Sequence, residues 1–193
     1  MFAYVFWHQR DSNYSTKSYV EGLTTFHSSL ASMGVRGFLG SFSFRVNGAP
    51  WLTGEGYEDW YLVAGLGVLE ELNSLVEKSN LKAVHDEIAH MSVNGKGTIL
   101  TPIMGDPTLV NTTKALWFSK PRGTSYADFY KDISSSIRGV TSSVWRRQLA
   151  LGPTPEFLLL SDSPPSLPEA YLPKQLARDI IVHPPGAGLS THP

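Results

Sequence analysis

Two adjacent carboxylates in the first part of the chain have the chemistry for acid–base work. Glu58 and Asp59 lie in residues 57–63, an aromatic and aliphatic run that is typical of a β-strand. Side chains alternate between the two faces of a strand. Glu58 therefore shares one face with Trp60, and Asp59 shares the other with Tyr61. Whichever face meets the rest of the protein, we expect at least one carboxylate to be covered.

A covered carboxylate needs a partner, because an unpaired charge is costly to remove from water. Arg36, Arg45 and His8 are the candidates near this strand. A carboxylate held in such a setting can have a shifted pKa and act as a base. The alternative is a structural ion pair, or a carboxylate that faces water at the edge of the sheet.

His85 is the second candidate for chemistry. It lies in residues 81–91, whose apolar residues have helical spacing: Leu81, Val84, Ile88 and Met91. At about 100° per residue, His85 falls at the edge of the apolar face and His90 falls on the opposite side. We expect His85 to be mostly buried and His90 to be exposed. A buried histidine can be an acid, a base or a metal ligand, or a core residue that is merely hydrogen-bonded. The spacing is not that of an H-E-x-x-H zinc helix, so it does not favour a metal pair.

Trp51 lies in a long loop, residues 47–56, between two predicted strands. When Glu58 is matched with Glu156, the corresponding loop of the second half is shorter. A long loop that carries a large apolar side chain is a candidate lid or pocket rim. The alternative is that Trp51 covers an edge of the core.

Composition excludes several classes of function. The 193-residue chain has no cysteine, which rules out disulfides, thiolate nucleophiles and cysteine–zinc sites. Its formal charge of −1 lacks the basic surplus of a nucleic-acid-binding protein. There is neither a phosphate-binding glycine motif nor a G-x-S-x-G elbow. We also expect no signal peptide and no membrane-spanning segment, and a cytoplasmic location.

An internal repeat indicates how these residues are positioned. Residues 18–30 and 125–137 match without a gap, and each begins with Ser-Tyr and ends with Ser-Ser before an aliphatic residue. Both have one apolar stripe at helical spacing, which predicts that Tyr19 superposes on Tyr126. Ser18 and Ser125 are the predicted N-caps.

The elements around these helices repeat as well. Aromatic and aliphatic runs before and after each helix are typical of strands, and each half has room for a second helix, placed within residues 167–178 in the second half. A further helix is expected within residues 77–97. The predicted fold is α+β: tandem ferredoxin-like β-α-β-β-α-β repeats over residues 1–103 and 114–183, packed sheet against sheet. Residues 184–193 have the composition of a loose tail.

This arrangement resembles the dimeric α/β-barrel superfamily, with both halves fused in one chain as a pseudo-dimer. The runs that contain Phe6-Trp7-His8 and residues 57–63 are also similar to a family of uncharacterised bacterial proteins. The superfamily resemblance implies cofactor-free oxygenation, isomerisation or haem chemistry in an apolar pocket. It implies acid–base or hydrogen-bonding roles for the candidate polar residues, with Trp51 and Trp60 as pocket walls.

We therefore expect a pocket in the first half that binds a small hydrophobic or aromatic molecule. The expected site has His85, Glu58 and His8 as catalytic residues and Trp51, Asp59, Trp60 and Tyr61 as ligand-binding residues. No metal or cofactor is expected, with haem on His85 as a minor alternative. A small monooxygenase- or isomerase-type enzyme and a non-catalytic assembly module are the two competing functions. We expect a monomer or a homodimer, without nucleic-acid or membrane partners.

Overall fold

The computed structural model of the protein describes residues 1–183, and the predicted C-terminal tail lies outside them. The first half contains four strands and three helices in chain order: β1 (Phe2–Arg10), α1 (Thr16–Ser32), β2 (Phe38–Asn47), β3 (Gly56–Val63), α2 (Leu66–Lys78), α3 (Leu81–His90) and β4 (Ser92–Gly105). The additional helix expected within residues 77–97 is confirmed as α3.

The second half has four shorter strands and one α-helix: β5 (Lys114–Phe118), α4 (Tyr126–Ser136), β6 (Ser143–Gln148), β7 (Phe157–Leu160) and β8 (Lys174–Val182). The helix predicted within residues 167–178 is wrong. That segment contains a single 3₁₀ turn, Glu169–Tyr171, followed by β8. Leu172 adopts a left-handed conformation with φ 50°, and Pro173 has no backbone N–H, so a helix cannot continue through this point.

The eight strands form one closed barrel in the order β1-β3-β2-β8-β5-β7-β6-β4, and every neighbouring pair whose register is defined is antiparallel. The α+β class is confirmed. The prediction that the two sheets pack face to face as separate layers is not what the structure shows. They join edge to edge, because β2 pairs with β8 and β4 pairs with β6. Closure pairs the strand edges that two separate sheets would leave open.

The order of strands is the same in both halves, β4-β1-β3-β2 in the first and β8-β5-β7-β6 in the second. That order is what tandem duplication would produce, but duplication itself and the division at residues 103 and 114 stay predictions. The barrel pairing is continuous across both junctions between the halves.

Alternation along the strands separates two layers of core. In β1, Ala3, Val5 and Trp7 point into the barrel, where all five tryptophans of the chain are buried. The residues between them face outward, toward the helices. Three helices cover the first half's outer face. The buried apolar residues of α1 form one stripe at helical spacing: Tyr19, Leu23, Phe26 and Leu30.

The helix caps correct one part of the predicted repeat. Ser125 caps α4 as predicted and accepts the N–H of Asp128. Ser18 is not the cap of α1, because Ser15 occupies that position and accepts the N–H of Ser18. Among the described helices, none is long and apolar enough to cross a membrane.

Candidate functional site

A cavity of about 690 Å³ lies between the outer face of the first half's sheet and its three helices. Apolar and aromatic side chains form most of its wall, including Phe6, Leu23, Phe26, Leu69, Leu72, Val76, Ile88 and Ile99. Four of the seven predicted site residues also line it: His8, Asp59, Tyr61 and His85. The structure thus brings these four together, while their roles in binding or catalysis stay predictions.

Two glycines of β4 leave room for the aromatic wall of this cavity. A Cβ atom on Gly95 would lie 2.8 Å from the ring of Phe6, and one on Gly97 would lie 2.6 Å from the hydroxyl oxygen of Tyr4. Both rings therefore lie across β4 at positions that a side chain on that strand would occupy. Any larger residue at Gly95 or Gly97 would push the rings out of place and change the shape of the cavity.

Asp59 is the centre of a buried polar cluster in the cavity wall. Its Oδ2 atom is 3.0 Å from Nε2 of His8 and 3.5 Å from Nε2 of His27. The hydroxyl of Tyr61 donates to the same oxygen at 3.3 Å. His8, His27 and Asp59 are each at most 3% exposed. Two hydrogen bonds and the nearby ring nitrogen of His27 therefore converge on one carboxylate oxygen, away from water.

A hydrogen-bonded chain leads from His8 to the edge of the cluster. Nδ1 of His8 contacts the hydroxyl of Tyr19, and that hydroxyl lies 2.8 Å from Oγ of Ser92. Ser92 in turn lies 2.8 Å from the carbonyl oxygen of Ile88, to which it can only donate. When Ser92 donates to this carbonyl, its oxygen accepts the Tyr19 hydroxyl, whose own oxygen then accepts from His8.

The electrostatics of the cluster favour an ionised Asp59. Burial alone would raise the pKa of Asp59, but His8 and His27 outweigh it and hold that pKa well below its ordinary range. Burial and the Asp59 charge together raise the pKa of Tyr61 well above the usual value for a phenol. Burial likewise raises the pKa of Tyr19, with Asp59 adding to the effect. The cavity thus ends at a carboxylate surrounded by phenols that stay protonated.

Glu58 faces the interior of the barrel instead of the cavity. Nε of Arg178 donates to it at 2.9 Å, and the indole N–H groups of Trp7 and Trp60 each donate to it at 2.8 Å. Glu58 and Arg178 are both fully buried. This arrangement matches the structural ion pair that the sequence left open as an alternative, and it does not bring Glu58 to the predicted catalytic site.

Trp51 and Trp60 also lie in the barrel interior and do not line the cavity. The ring of Trp51 packs edge-on against Trp7 and Trp117, with centroids 5.3 Å from each. Its long loop closes one end of the barrel, where the ammonium of Lys96 contacts the carbonyl of Trp51. Trp51 therefore covers the core, which was the alternative to a pocket rim.

His85 lies at the mouth of the cavity. Its side chain is 40% exposed, which is less buried than the helical wheel predicted, while His90 is exposed as predicted. Its Nδ1 is 3.3 Å from Oδ1 of Asp86, and its ring lies 5.8 Å from that of Phe26. The wheel placed His85 at the edge of the apolar face, and an edge position on a short surface helix remains open to water.

Four residues of these networks were not among the sequence candidates: Tyr19, His27, Ser92 and Arg178. Tyr19 was assigned only to the apolar stripe of α1. His27 follows Leu23 by four positions and so shares the inner face of that helix, a signal that the sequence contains. Arg178 alternates with Leu176 and Ile180, which places it on their face of β8. No local pattern indicates Ser92.

The lining residues do not fit a haem. A haem carries two propionates, which need cationic partners. The residues of the described chain that line this cavity include no lysine or arginine, and the buried Asp59 carboxylate adds negative charge. Within residues 1–183 no group of three or more His, Cys, Asp or Glu residues could hold a metal ion.

Comparisons with known proteins support the fold. The sequence matches no protein-family model and no curated protein. The structure is similar to that of a candidate monooxygenase from Fusobacterium nucleatum subsp. nucleatum ATCC 25586, with a TM-score of 0.61 and 9% identity over 94% of this chain and 92% of that one. It is also similar to an anthrone oxidase-like protein, with a TM-score of 0.52 and 11% identity over 94% and 91% of the two chains. Identities this low show a shared fold alone.

Proposed function

We propose that this protein binds a small, largely apolar molecule, aromatic ones included, in the cavity of its first half. The observation that carries the proposal is a cavity of about 690 Å³ with mostly apolar walls that ends at one polar cluster around Asp59. Ligand sites in proteins are typically apolar cavities of this size in which a few polar groups set the orientation of the ligand.

Binding of Nile red, a neutral dye that fluoresces in apolar surroundings, tests this proposal. We expect saturable fluorescence enhancement with the unmodified protein. The double variant Val76→Trp/Ala89→Trp adds two large rings at lining positions on α2 and α3 and should weaken binding at least tenfold. The matched control Glu71→Trp/Lys82→Trp adds the same rings at exposed positions of the same helices and should bind as before. Equal binding by both double variants would contradict the proposal.

A second candidate is an enzyme that abstracts a proton from its substrate. The specific observation in its favour is the contact of Asp59 with His8, continued through Tyr19 to Ser92. A carboxylate hydrogen-bonded to an imidazole is a pairing that enzymes use in general acid–base catalysis, and here it lies in the wall of a largely apolar cavity. The two structural neighbours are compatible with this candidate.

Oxygen uptake with anthrone as substrate tests this second candidate. The reaction would convert anthrone and O₂ into anthraquinone and water, beginning with loss of a proton from the anthrone methylene group. We expect uptake above the uncatalysed rate, and a loss of at least 100-fold in Asp59→Asn, since general bases contribute about 10²–10⁴-fold. Uptake that is unchanged in this variant would exclude Asp59 as the base.

We further propose that the two halves are tandem copies of one ferredoxin-like unit. Their identical strand order supports this. The pairing register makes Trp7 and Trp117 equivalent, because each lies opposite an inward-facing residue of the next strand in the barrel, Glu58 or Leu158. Superposition of residues 1–103 on 114–183 should align these two tryptophans, and a mismatch of the central strands would contradict duplication.

A further inference from the structure

The two oxygens of the Asp59 carboxylate have very different surroundings. Oδ2 is hydrogen-bonded to His8 and Tyr61, and Nε2 of His27 lies 3.5 Å away. Oδ1 is buried as well, but it has no hydrogen-bond partner among residues 1–183. A buried charged oxygen without a partner costs free energy and is rare in folded proteins. Because Asp59 lines the cavity, a molecule in that cavity is the natural source of the missing donor.

The hydrogen-bonding groups of the cluster that line the cavity beside Asp59, those of His8, Tyr61 and Ser92, already have other partners. The hydroxyl of Tyr61 donates to Oδ2 of Asp59, and Nε2 of His8 faces the same oxygen. Nδ1 of His8 faces Tyr19, whose hydroxyl bridges to Ser92. Among Asp59 and these lining groups, the unused hydrogen-bonding capacity is therefore that of an acceptor, Oδ1 of Asp59, and the carboxylate carries negative charge.

From this we infer that the site selects molecules with an O–H or N–H group at the end that reaches Asp59, and rejects carboxylates. The inference rests on the proposed binding function and specifies its ligand class. A donor on the ligand would complete the partners of Oδ1 with a charge-assisted hydrogen bond. An ether of the same shape would leave Oδ1 unpaired. A carboxylate would place a second negative charge beside it without a lysine or arginine in the cavity wall.

Three naphthalene derivatives of nearly equal shape separate these cases. 2-Naphthol has a donor, 2-methoxynaphthalene has only an acceptor, and 2-naphthoate is an anion. In calorimetric titrations at pH 7 we expect 2-naphthol to bind about 10- to 100-fold more tightly than 2-methoxynaphthalene, the range for one hydrogen bond to a charged group. 2-Naphthoate should bind most weakly of the three.

Two variants assign the selectivity to Asp59. Asp59→Asn removes the charge and should reduce the preference for 2-naphthol over 2-methoxynaphthalene to about threefold or less and improve binding of 2-naphthoate. Tyr61→Phe is the control, since it removes a neighbouring hydroxyl and leaves Oδ1 unchanged, so the preference should persist. If Asp59→Asn does not fold, the three titrations of the unmodified protein and of Tyr61→Phe decide the question.

The outcomes distinguish this inference from the proposed function on which it rests. Equal affinity for 2-naphthol and 2-methoxynaphthalene, tightest binding of 2-naphthoate, or loss of the preference in Tyr61→Phe would overturn the inference while the cavity remained a binding site. If none of the three compounds binds, or if binding is unchanged in Val76→Trp/Ala89→Trp, the proposed function itself fails. A preference for 2-naphthol that is lost only in Asp59→Asn supports both.

Discussion

In the first half of the barrel, His8 on β1 lies opposite Tyr57 on β3, whereas in the second half Phe118 on β5 lies opposite Phe157 on β7. The two pairs occupy equivalent places in the strand order. Their ring centroids are 5.7 Å apart in both halves, and the rings are stacked in both. The same packing is thus achieved once with polar rings and once with phenylalanines.

The helices that cover these pairs show the same difference. Tyr19 of α1 packs 4.8 Å from Tyr57, and Phe129 of α4 packs 4.5 Å from Phe157. Leu159 of β7 takes the place that Asp59 has on β3, so the second half has no carboxylate there. Because the apolar version packs equally well, the fold does not require the polar cluster. Its presence in the first half, next to a cavity, agrees with the ligand binding that we propose.

Inside the barrel the halves differ in one buried charge. Trp7 lies opposite Glu58 in the first half, and Trp117 lies opposite Leu158 in the second. Glu58 requires Arg178, which also donates to the carbonyl oxygens of Val110 and Thr112 in the connection between the halves. This ion pair therefore holds that connection against the barrel interior. Leu158, which takes the place of Glu58 in the second half, forms no ion pair.

The largest effect is expected from breaking this ion pair. Arg178→Met leaves Glu58 buried without its cation and should lower the free energy of unfolding by about 3–5 kcal/mol, measured by urea denaturation. The double variant Glu58→Leu/Arg178→Met gives this site the leucine of the second half and should recover most of that loss. A double variant no more stable than Arg178→Met would show that Glu58 is not the reason for the arginine.

Transfer of polarity into the second half should be the next most costly change. Phe118→His buries an imidazole beside Leu159 instead of a carboxylate, and it should lower stability by about 1–3 kcal/mol. Because burial disfavours the charged imidazole, the loss should grow as the pH falls below about 6.5, where the unfolded chain takes up the proton. Phe118→Leu, which adds no polar group, should show no such pH dependence in urea titrations at pH 5 and pH 8.

Replacing the polar cluster of the first half by the apolar residues of the second half should abolish the preference for a hydrogen-bond donor at little cost to the fold. The triple variant His8→Phe/Tyr19→Phe/Asp59→Leu copies three residues of the second half and should remain within about 2 kcal/mol of the unmodified protein, because joint apolar replacement of buried polar partners is often close to neutral. The preference for 2-naphthol should disappear. Asp59→Leu alone leaves both histidines without their acceptor and should be less stable than the triple variant; the opposite order would contradict the network.

The loss of stability in acid should differ between the unmodified protein and the triple variant. The folded-state pKa of Asp59 lies well below its ordinary value of 3.8. The stability that this carboxylate contributes is therefore fully present above about pH 4 and is lost as the pH falls below that value toward the folded-state pKa. Between pH 5 and pH 2.5 the unmodified protein should lose more stability than the triple variant, as measured by thermal unfolding. Parallel curves would show that Asp59 does not have the depressed pKa.

The smallest effects concern the helix caps. Ser15→Ala and Ser125→Ala each remove a side-chain acceptor at a helix start and should each cost about 1 kcal/mol. Ser18→Ala removes only a contact with the Ser15 hydroxyl and should cost clearly less than Ser15→Ala in the same urea experiment. Equal costs at Ser15 and Ser18 would favour the register of the gapless sequence match over the one the caps define.

The alignment of α1 with α4 shows where prediction from the sequence was limited. The gapless match places Tyr19 on Tyr126, but Tyr19 is fully buried and Tyr126 is 41% exposed. In the structure, Ser15 and Ser125 are the caps, which makes Phe129 the equivalent of Tyr19. The match followed similar residues near the helix starts, whereas burial follows the position of the cap and the angle of each residue around the helix.

What the sequence determined by itself is what depends on neighbouring residues. The apolar stripe of α1 and the opposite faces of Glu58 and Asp59 follow from the geometry of a single helix and a single strand. The position of Asp59 near His8 could be proposed because both lie at the predicted sheet.

Only the tertiary structure decided which partner each carboxylate has and which of them borders a cavity. Glu58 meets Arg178, 120 positions away, because closure of the barrel brings β8 beside β2. The last part of the segment predicted to be a helix within residues 167–178 instead forms the start of β8, which completes this closure. Trp51 is part of the core because its loop covers the end of the barrel. Pairings between distant strands depend on the whole chain at once, so no local pattern of apolar and polar residues contains them.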